Sequence, residues 1–323
     1  MESGDRGIDD LDRALVKRLR VDGRETNRSL ARALGVNDAT VAARLRRLEA
    51  GGVVHVVALT DMQGFGKDLF AFALINVDGR PAFDVGREVA ALPEVIALTV
   101  TTGRFDLVAS VLVSDREALG RVIGEELPAV DGVGAVRCEL AIDVLRFDSQ
   151  WAALRAGASL AGLPAPDLEA DGVDELDLAI VRALQRDARS SNRSIAAELS
   201  VSEGTVRQRV RRLEDERLIR IRAVSDVEAF DYTASATVGV RVRGGAVAEV
   251  GAALVAMPEV AAVVRSVGEF DFVVILLAQA RADLVQTVLG RVQAMPGVRS
   301  TETLETAAAL KHVYTWVRLV DPA

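Results

Sequence analysis

The sequence predicts an α+β chain that carries the same two-part unit twice: a winged-helix-like three-helix domain followed by a ferredoxin-like βαββαβ domain. Three observations predict it. First, residues 9–151 align with residues 174–316 at a constant offset of 165 without a gap. Of the first 44 aligned positions 21 are identical, among them Asp12/Asp177, Asn27/Asn192, Thr40/Thr205, Arg47/Arg212 and Glu49/Glu214. A period this long marks a duplicated domain pair; solenoid units run to about 20–50 residues. Second, the apolar spacing at the start of each copy is helical. Third, it changes beyond that point to strands alternating with helices.

The helices come in a fixed order. Leu11, Ala14, Leu15 and Leu19 recur at helical spacing, as do Leu176, Ala179, Ile180 and Leu184. A second, short helix carries Leu30, Ala31 and Leu34, or Ile195, Ala196 and Leu199, with Thr26 and Ser191 as N-caps. After Gly35-Val36 or Ser200-Val201 a third helix follows, capped by Asn37 or Ser202. Its apolar stripe is Val41, Leu45, Leu48 or Val206, Val210, Leu213. Three helices with a tight turn before the last form the helix-turn-helix layout.

Residues 53–61 and 218–226 read as connecting strands. Copy one then gives strand 69–77, helix 83–92, strands 96–102 and 105–113, helix 115–126 and strand 135–146. Copy two gives 234–243, 247–256, 261–267, 270–278, 280–293 and 298–310. Between the copies, residues 152–173 are rich in Ala, Gly and Pro and read as a linker. The expected boundaries are therefore 1–60, 61–151, 152–173, 174–225 and 226–323.

Bulk properties narrow the class. The single Cys138 excludes an internal disulfide and fits a reducing compartment. The acidic, polar N-terminus argues against a signal peptide, and the longest apolar runs, around 69–77 and 272–278, are too short to span a bilayer. The expectation is a soluble, cytoplasmic protein with no membrane partner. A net charge of −8 argues against nucleic acid as a partner, but the charge is not evenly spread. Residues 202–222 hold seven Arg against four acids, and residues 37–57 hold three against two.

That positive charge sits on the third helices. With the apolar stripe facing inward, the opposite face carries Ala39, Ala42, Ala43, Arg46 and Arg47 in copy one. In copy two it carries Gly204, Arg207, Gln208, Arg211 and Arg212. Small residues allow close approach to a duplex. Arg pairs with guanine and Gln with adenine in the major groove, while rim Arg, Ser and Thr serve phosphates. The expected DNA contacts are Arg28, Thr40, Arg44, Arg46 and Arg47, with Arg193, Ser202, Thr205, Arg207, Gln208, Arg209, Arg211 and Arg212. Copy two is expected to be the sequence reader, since copy one has Ala42 and Ala43 where base contacts would come from. The competing reading is an ordinary solvated helix face.

In the second domain of each copy, Gly-x-Phe-Asp joins two strands. Gly permits a positive φ. A turn with free N–H groups can hold a carboxylate, and a neighbouring acid can hold an ammonium, a pair of features that suits a zwitterionic amino acid. The competing reading is a structural hairpin with a solvated Asp.

These residues together resemble the Lrp/AsnC family of bacterial transcription regulators. The resemblance rests on Leu11-Asp12, Arg24 to Ala31, Thr40-Val41, Arg44 and Arg47-Leu48-Glu49. It also rests on Gly103-Arg104-Phe105-Asp106 and its copy Gly268-Glu269-Phe270-Asp271. It covers roughly 9–150 and 174–319. It implies a helix-turn-helix DNA-binding domain followed by an effector domain that senses amino acids or related metabolites, with homo-oligomers formed through the effector sheets. It also implies that the two copies pair within one chain as a pseudo-dimer. The implied effector site is the turn plus polar residues of the last strand, here Ser300, Thr301 and Thr303. Copy two fits with Gly268, Glu269, Phe270, Asp271, Thr301 and Thr303. Copy one departs from it, with Gly103, Arg104 and Asp106 in the turn but Val136 and Cys138 in the strand.

Two rival classes stay open. Haem-pathway decarboxylases share this fold and need His and Arg clusters to hold a tetrapyrrole, but the chain has only His55 and His312, at non-equivalent positions. A sensing protein that has lost DNA binding is the other. No metal or phosphate motif is present, so no cofactor and no catalysis are expected.

Overall fold

The computed structural model describes residues 8–154 and 172–319. The expected linker is therefore described only at its two ends, and residues 155–171 lie outside the described residues. The first head is α1 (Asp10–Val21), α2 (Asn27–Leu34) and α3 (Asp38–Ala50), followed by β1 (Val54–Asp61). Its caps are the expected ones: Thr26 accepts from the Ser29 amide and Asn37 from the Thr40 amide at 2.7 Å. Gly35 takes a left-handed φ of 68° to end α2. The first effector domain is β2 (Leu69–Val77), α4 (Ala82–Ala90), β3 (Val95–Thr102), β4 (Leu107–Val113), α5 (Arg116–Arg121) and α6 (Leu127–Ala129). It ends in β5 (Val133–Phe147) and a short β6 (Trp151–Ala152). A π turn, Val122–Glu126, joins α5 to α6.

The second copy repeats this order. Its head is α7 (Glu175–Arg186), α8 (Asn192–Glu198), α9 (Glu203–Asp215) and β7 (Ile219–Asp226). Its effector domain is β8 (Ala234–Val242), α10 (Val247–Val255), β9 (Val260–Val267), β10 (Phe272–Ala278), α11 (Arg281–Val285), β11 (Val298–His312) and β12 (Trp316–Val317). Two expectations shift. β4 and β10 begin two residues later than read, because Phe105-Asp106 and Phe270-Asp271 belong to the turns. Trp151 and Trp316, the last residues of the aligned repeat, start short strands of their own.

The two copies pair within the chain. β1 and β7 run antiparallel, with Val54 opposite Ser225 and Thr60 opposite Ile219. β12 and β6 add parallel strands at the two edges. A winged-helix-like head would carry its own wing hairpin; here the strand after each third helix pairs with its counterpart instead. Each effector domain forms a ferredoxin-like four-stranded sheet, β5-β2-β4-β3 or β11-β8-β10-β9. Because β5 also pairs with β9 and β11 with β3, the two sheets close into one eight-stranded barrel. The last strands are 15 residues long, enough to bond their own sheet with one half and the other copy with the rest.

Side-chain alternation assigns the cores. Phe70, Phe72 and Leu74 of β2 pack into a core that both copies share, with Phe105, Val264, Phe270, Val273 and Leu304. Ala73 and Ile75 instead meet Val85 and Val89 of α4. The heads share a core with the other copy as well. Leu15, Leu19, Val41 and Leu45 pack with Val54, and with Ala223 and Phe230 of copy two.

Candidate DNA-binding heads and ligand cavity

Inside each head, an aspartate of the first helix is buried and holds two arginines of the third. Asp12 is 0% exposed and pairs with Arg44 at 3.0 Å and with Arg47. Asp177, also 0% exposed, pairs with Arg209 at 3.0 Å and with Arg212. The caps Asp9 and Asp174 join in, each 2.5 Å from its arginine. Asp9 falls to about 2, chiefly through its hydrogen bond from Arg44. Asp174 falls to about 2 through the Asp177 amide first and Arg209 second.

This corrects the orientation expected for Arg44, Arg47, Arg209 and Arg212. Their guanidinium groups pair with the first helix because a buried carboxylate there needs cationic partners, and Arg47 stays 54% exposed while it does so. Thr40, Ser202 and Thr205 are likewise engaged in the N-terminal turns of α3 and α9. Exposed in the first head are Arg28, Arg46 and, despite its ion pair, Arg47. In the second they are Arg193, Arg207, Gln208 and Arg211. Arg207 is steadied by Glu203 one turn earlier.

The heads also grip each other. Arg24 donates to the Ser190 carbonyl at 2.6 Å, and Arg189, its counterpart at the 165-residue offset, donates to the Gly23 carbonyl at 2.9 Å. Their relative placement is thus held by two reciprocal arginine contacts.

The Gly-x-Phe-Asp turns meet across the pseudo-twofold. Arg104 and Glu269, equivalent positions of the two copies, form an ion pair, and Arg241 joins it. Arg104 holds Glu269 below the usual carboxylate range. Asp106 and Asp271 each accept from their own strand, at the Val77 amide (2.8 Å) and the Val242 amide (2.6 Å). The N–H groups expected to be free in copy two are occupied. Those of Glu269 and Phe270 donate to the Glu139 carboxylate at 2.8 and 3.1 Å. Glu139 comes from copy one and is 0% exposed; burial pushes its pKa up.

Gly103 has the expected positive φ, 136°. Gly268 does not, and is required there by space, since a Cβ would lie 2.5 Å from Glu139 Oε2. Thr301 accepts from Gln293 at 3.2 Å, and the Thr303 carbonyl abuts Gly103. The turn of copy two is therefore a satisfied dyad contact rather than an open carboxylate cradle.

A different concavity is open. Between β5, β7, β9 and α10 lies a cavity of about 1060 Å³ lined by Arg146, Arg220, Arg222, Arg265 and Arg318, with Asp143 and Asp148. Arg146 donates to the Val255 and Met257 carbonyls at 2.8 and 2.9 Å. Arg318 pairs with Asp61 at 2.7 Å. Arg220, Arg222 and Arg265 carry no side-chain hydrogen bond or ion pair among the described residues, and Arg222 Nε is buried without a partner.

The histidines lie elsewhere. The Nδ1 of His312 accepts from the Ala153 amide at 3.3 Å, and desolvation lowers its pKa to about 4. Between pH 6.5 and 4 the unfolded chain binds a proton there that the fold refuses, so stability falls as pH drops through that window. We expect a loss of at most about 3 kcal/mol, since the residue is only partly buried. Urea melts at pH 7 and pH 4.5 check this: His312→Gln should lose less than the parent on acidification, and an equal loss refutes the assignment.

Sequence reasoning missed Glu139, Arg241 and the cavity arginines. The signal was present as broken internal symmetry. At the 165-residue offset Glu139 stands opposite Leu304, Arg222 opposite Val57 and Arg265 opposite Val100.

Comparison with known proteins follows the same duplication. The AsnC-type helix-turn-helix domain profile matches residues 8–49 and 173–214, and the Lrp/AsnC ligand binding domain profile matches residues 70–150 and 235–313. An uncharacterized HTH-type transcriptional regulator of Pyrococcus abyssi is 32% identical over 141 residues, 43% of this chain and 89% of that protein. The HTH-type transcriptional regulator FL11 of Pyrococcus horikoshii is 31% identical over 129 residues, 39% of this chain and 85% of its own length. Among solved structures, the siroheme decarboxylase NirDL is similar over 93% of this chain and 92% of its own, with a TM-score of 0.66 and 18% identity. At that identity the likeness is one of fold.

Proposed function

Because the chain belongs to the Lrp/AsnC family, with both of that family's domains present twice, we propose that it is a non-catalytic, DNA-binding transcription regulator that responds to a small molecule. The observation that carries this reading is the division of labour on the third helices. One set of arginines locks each helix to its head, while Arg46 in one head and Arg207, Gln208 and Arg211 in the other stay exposed on the outer face. A helix so clamped presents rigid donors to a groove. The two heads differ at the reading positions, so the matching site is an imperfect palindrome.

The test is titration of the full chain against DNA selected from a random pool, over a salt series. We expect log K to fall linearly with log salt. Arg211→Ala should weaken all sequences alike. Gln208→Ala should relax preference at one base pair by about 1–3 kcal/mol. Absence of salt-sensitive binding, even in low salt, would refute the regulator.

A second reading, an enzyme acting on a tetrapyrrole, is favoured by the full-length fold likeness to NirDL, which extends over both copies. Against it stands the placement of the histidines: neither is among the cavity's lining residues, and His312 is held neutral by desolvation. Decarboxylation of siroheme by the purified chain, followed by absorbance and mass, would establish this reading in place of the first.

A further inference from the structure

We propose that the arginine-lined cavity is a binding site for a polycarboxylate, an organic anion bearing two or more carboxylates on a compact apolar body; its role as the effector site rests on the regulator reading, but the binding does not.

Charge gives the first argument. Five arginines and two aspartates line the walls. Arg318 is already matched by Asp61, and Asp148 accepts from the Gln150 amide. Arg220, Arg222 and Arg265 line one space and make no side-chain hydrogen bond or ion pair among the described residues, although Asp143 stands opposite Arg265 across β5 and β9 and Asp148 lies near Arg222. Like charges gathered in this way repel one another, and the half-buried guanidinium groups of Arg220 and Arg222 forfeit hydration. Burial and the neighbouring Arg220 lower the pKa of Arg222 more than the nearby Asp148 raises it. An anion entering the cavity supplies the acceptors these groups lack, and a carboxylate matches the planar guanidinium fork.

Symmetry gives the second. The fold does not require these three arginines, because the duplicated copy does without them. At the 165-residue offset Arg220, Arg222 and Arg265 become His55, Val57 and Val100. These three arginines are thus particular to the second half, whereas Arg146 of the first half is matched by Lys311.

Shape gives the third. The opposite wall is apolar, with Leu145, Val247, Val255, Phe272 and Leu319. A volume of about 1060 Å³ suits a small organic molecule rather than a bare inorganic ion. The wall formed by β7 leads directly from the recognition helix α9 and pairs with β1, which follows α3. Filling the cavity therefore bears on the strands that carry both heads.

The test is calorimetric titration of the full-length chain with citrate and with benzene-1,3,5-tricarboxylate, with leucine as a zwitterionic comparison. We expect saturable binding of a tricarboxylate, weakened about tenfold by Arg222→Gln and again by Arg265→Gln, and no competition from leucine. Arg265 is exposed, so Arg265→Gln keeps the fold testable even if Arg222→Gln does not. The proposal is overturned if neither tricarboxylate binds at millimolar concentration. It is overturned equally if both variants bind as the parent does, or if Arg104→Gln rather than the cavity variants abolishes binding. DNA titration with and without the bound tricarboxylate separates the two readings. A changed DNA affinity supports an effector site. An unchanged affinity with calorimetric binding intact leaves the anion site standing and removes its regulatory role.

Discussion

Asp177→Ala should destabilise the second head by about 3 kcal/mol, the lower end of what breaking a buried ion pair costs. The lower end applies because Arg209 and Arg212 retain 30% and 35% side-chain exposure and can recover water. The loss has two parts. The carboxylate fastens α9 to α7 through both arginines, and it also accepts from the Asp174 amide to complete the capping box of α7. Asp177→Asn, which keeps the shape and one acceptor, should lose less. Hydrogen exchange across 175–215 is the appropriate readout, since the effector barrel can survive while the head opens. On the regulator reading DNA affinity should fall in parallel, although Asp177 is buried inside the head. Unchanged protection in α9 would refute the clamp.

Glu139→Ala should cost about 3 kcal/mol, because it strands two buried donors, the N–H groups of Glu269 and Phe270, at about 1–3 kcal/mol each. Glu139→Leu, which installs the residue found at the equivalent position 304, should fill the space and still leave both donors unpaired. Glu139→Gln keeps one acceptor oxygen and should fall between. The sign with pH is set by burial, which raises the folded pKa. The fold binds this proton more tightly than the unfolded chain does, so the contribution of Glu139 to stability declines as pH rises through the raised pKa. Denaturant titration at neutral pH decides the matter, and a change within about 0.5 kcal/mol for Glu139→Ala would show that the turn finds other acceptors.

Much of the fold was legible because periodicity and caps are local. Thr26, Asn37, Ser191 and Ser202 all cap as read, and the βαββαβ order follows from alternation. The pairing of the copies was expected from resemblance alone, since no local pattern states which edge β5 or β11 will meet. The third helices were read correctly as helices and wrongly in part as surfaces. A helical wheel distinguishes inward from outward, but it does not show that Arg44 and Arg209, at the edge of the stripe, bend back to a buried aspartate 32 residues earlier. The turns failed for the same reason. Gly103 and Gly268 look identical in sequence, yet one is required for its φ and the other for its neighbour, which arrives from the other copy.

The ion pair between Arg104 and Glu269 joins equivalent positions, and this has a consequence for who can associate with whom. On a true twofold axis a residue meets its own image, so two first halves would set arginine against arginine and two second halves glutamate against glutamate. The N–H groups of Glu269 and Phe270, too, would lose their acceptor if a second half met another second half, which brings Leu304 in place of Glu139. Divergence after duplication has therefore made the halves mutually selective. Each half's turn is matched to the other's and not to its own image.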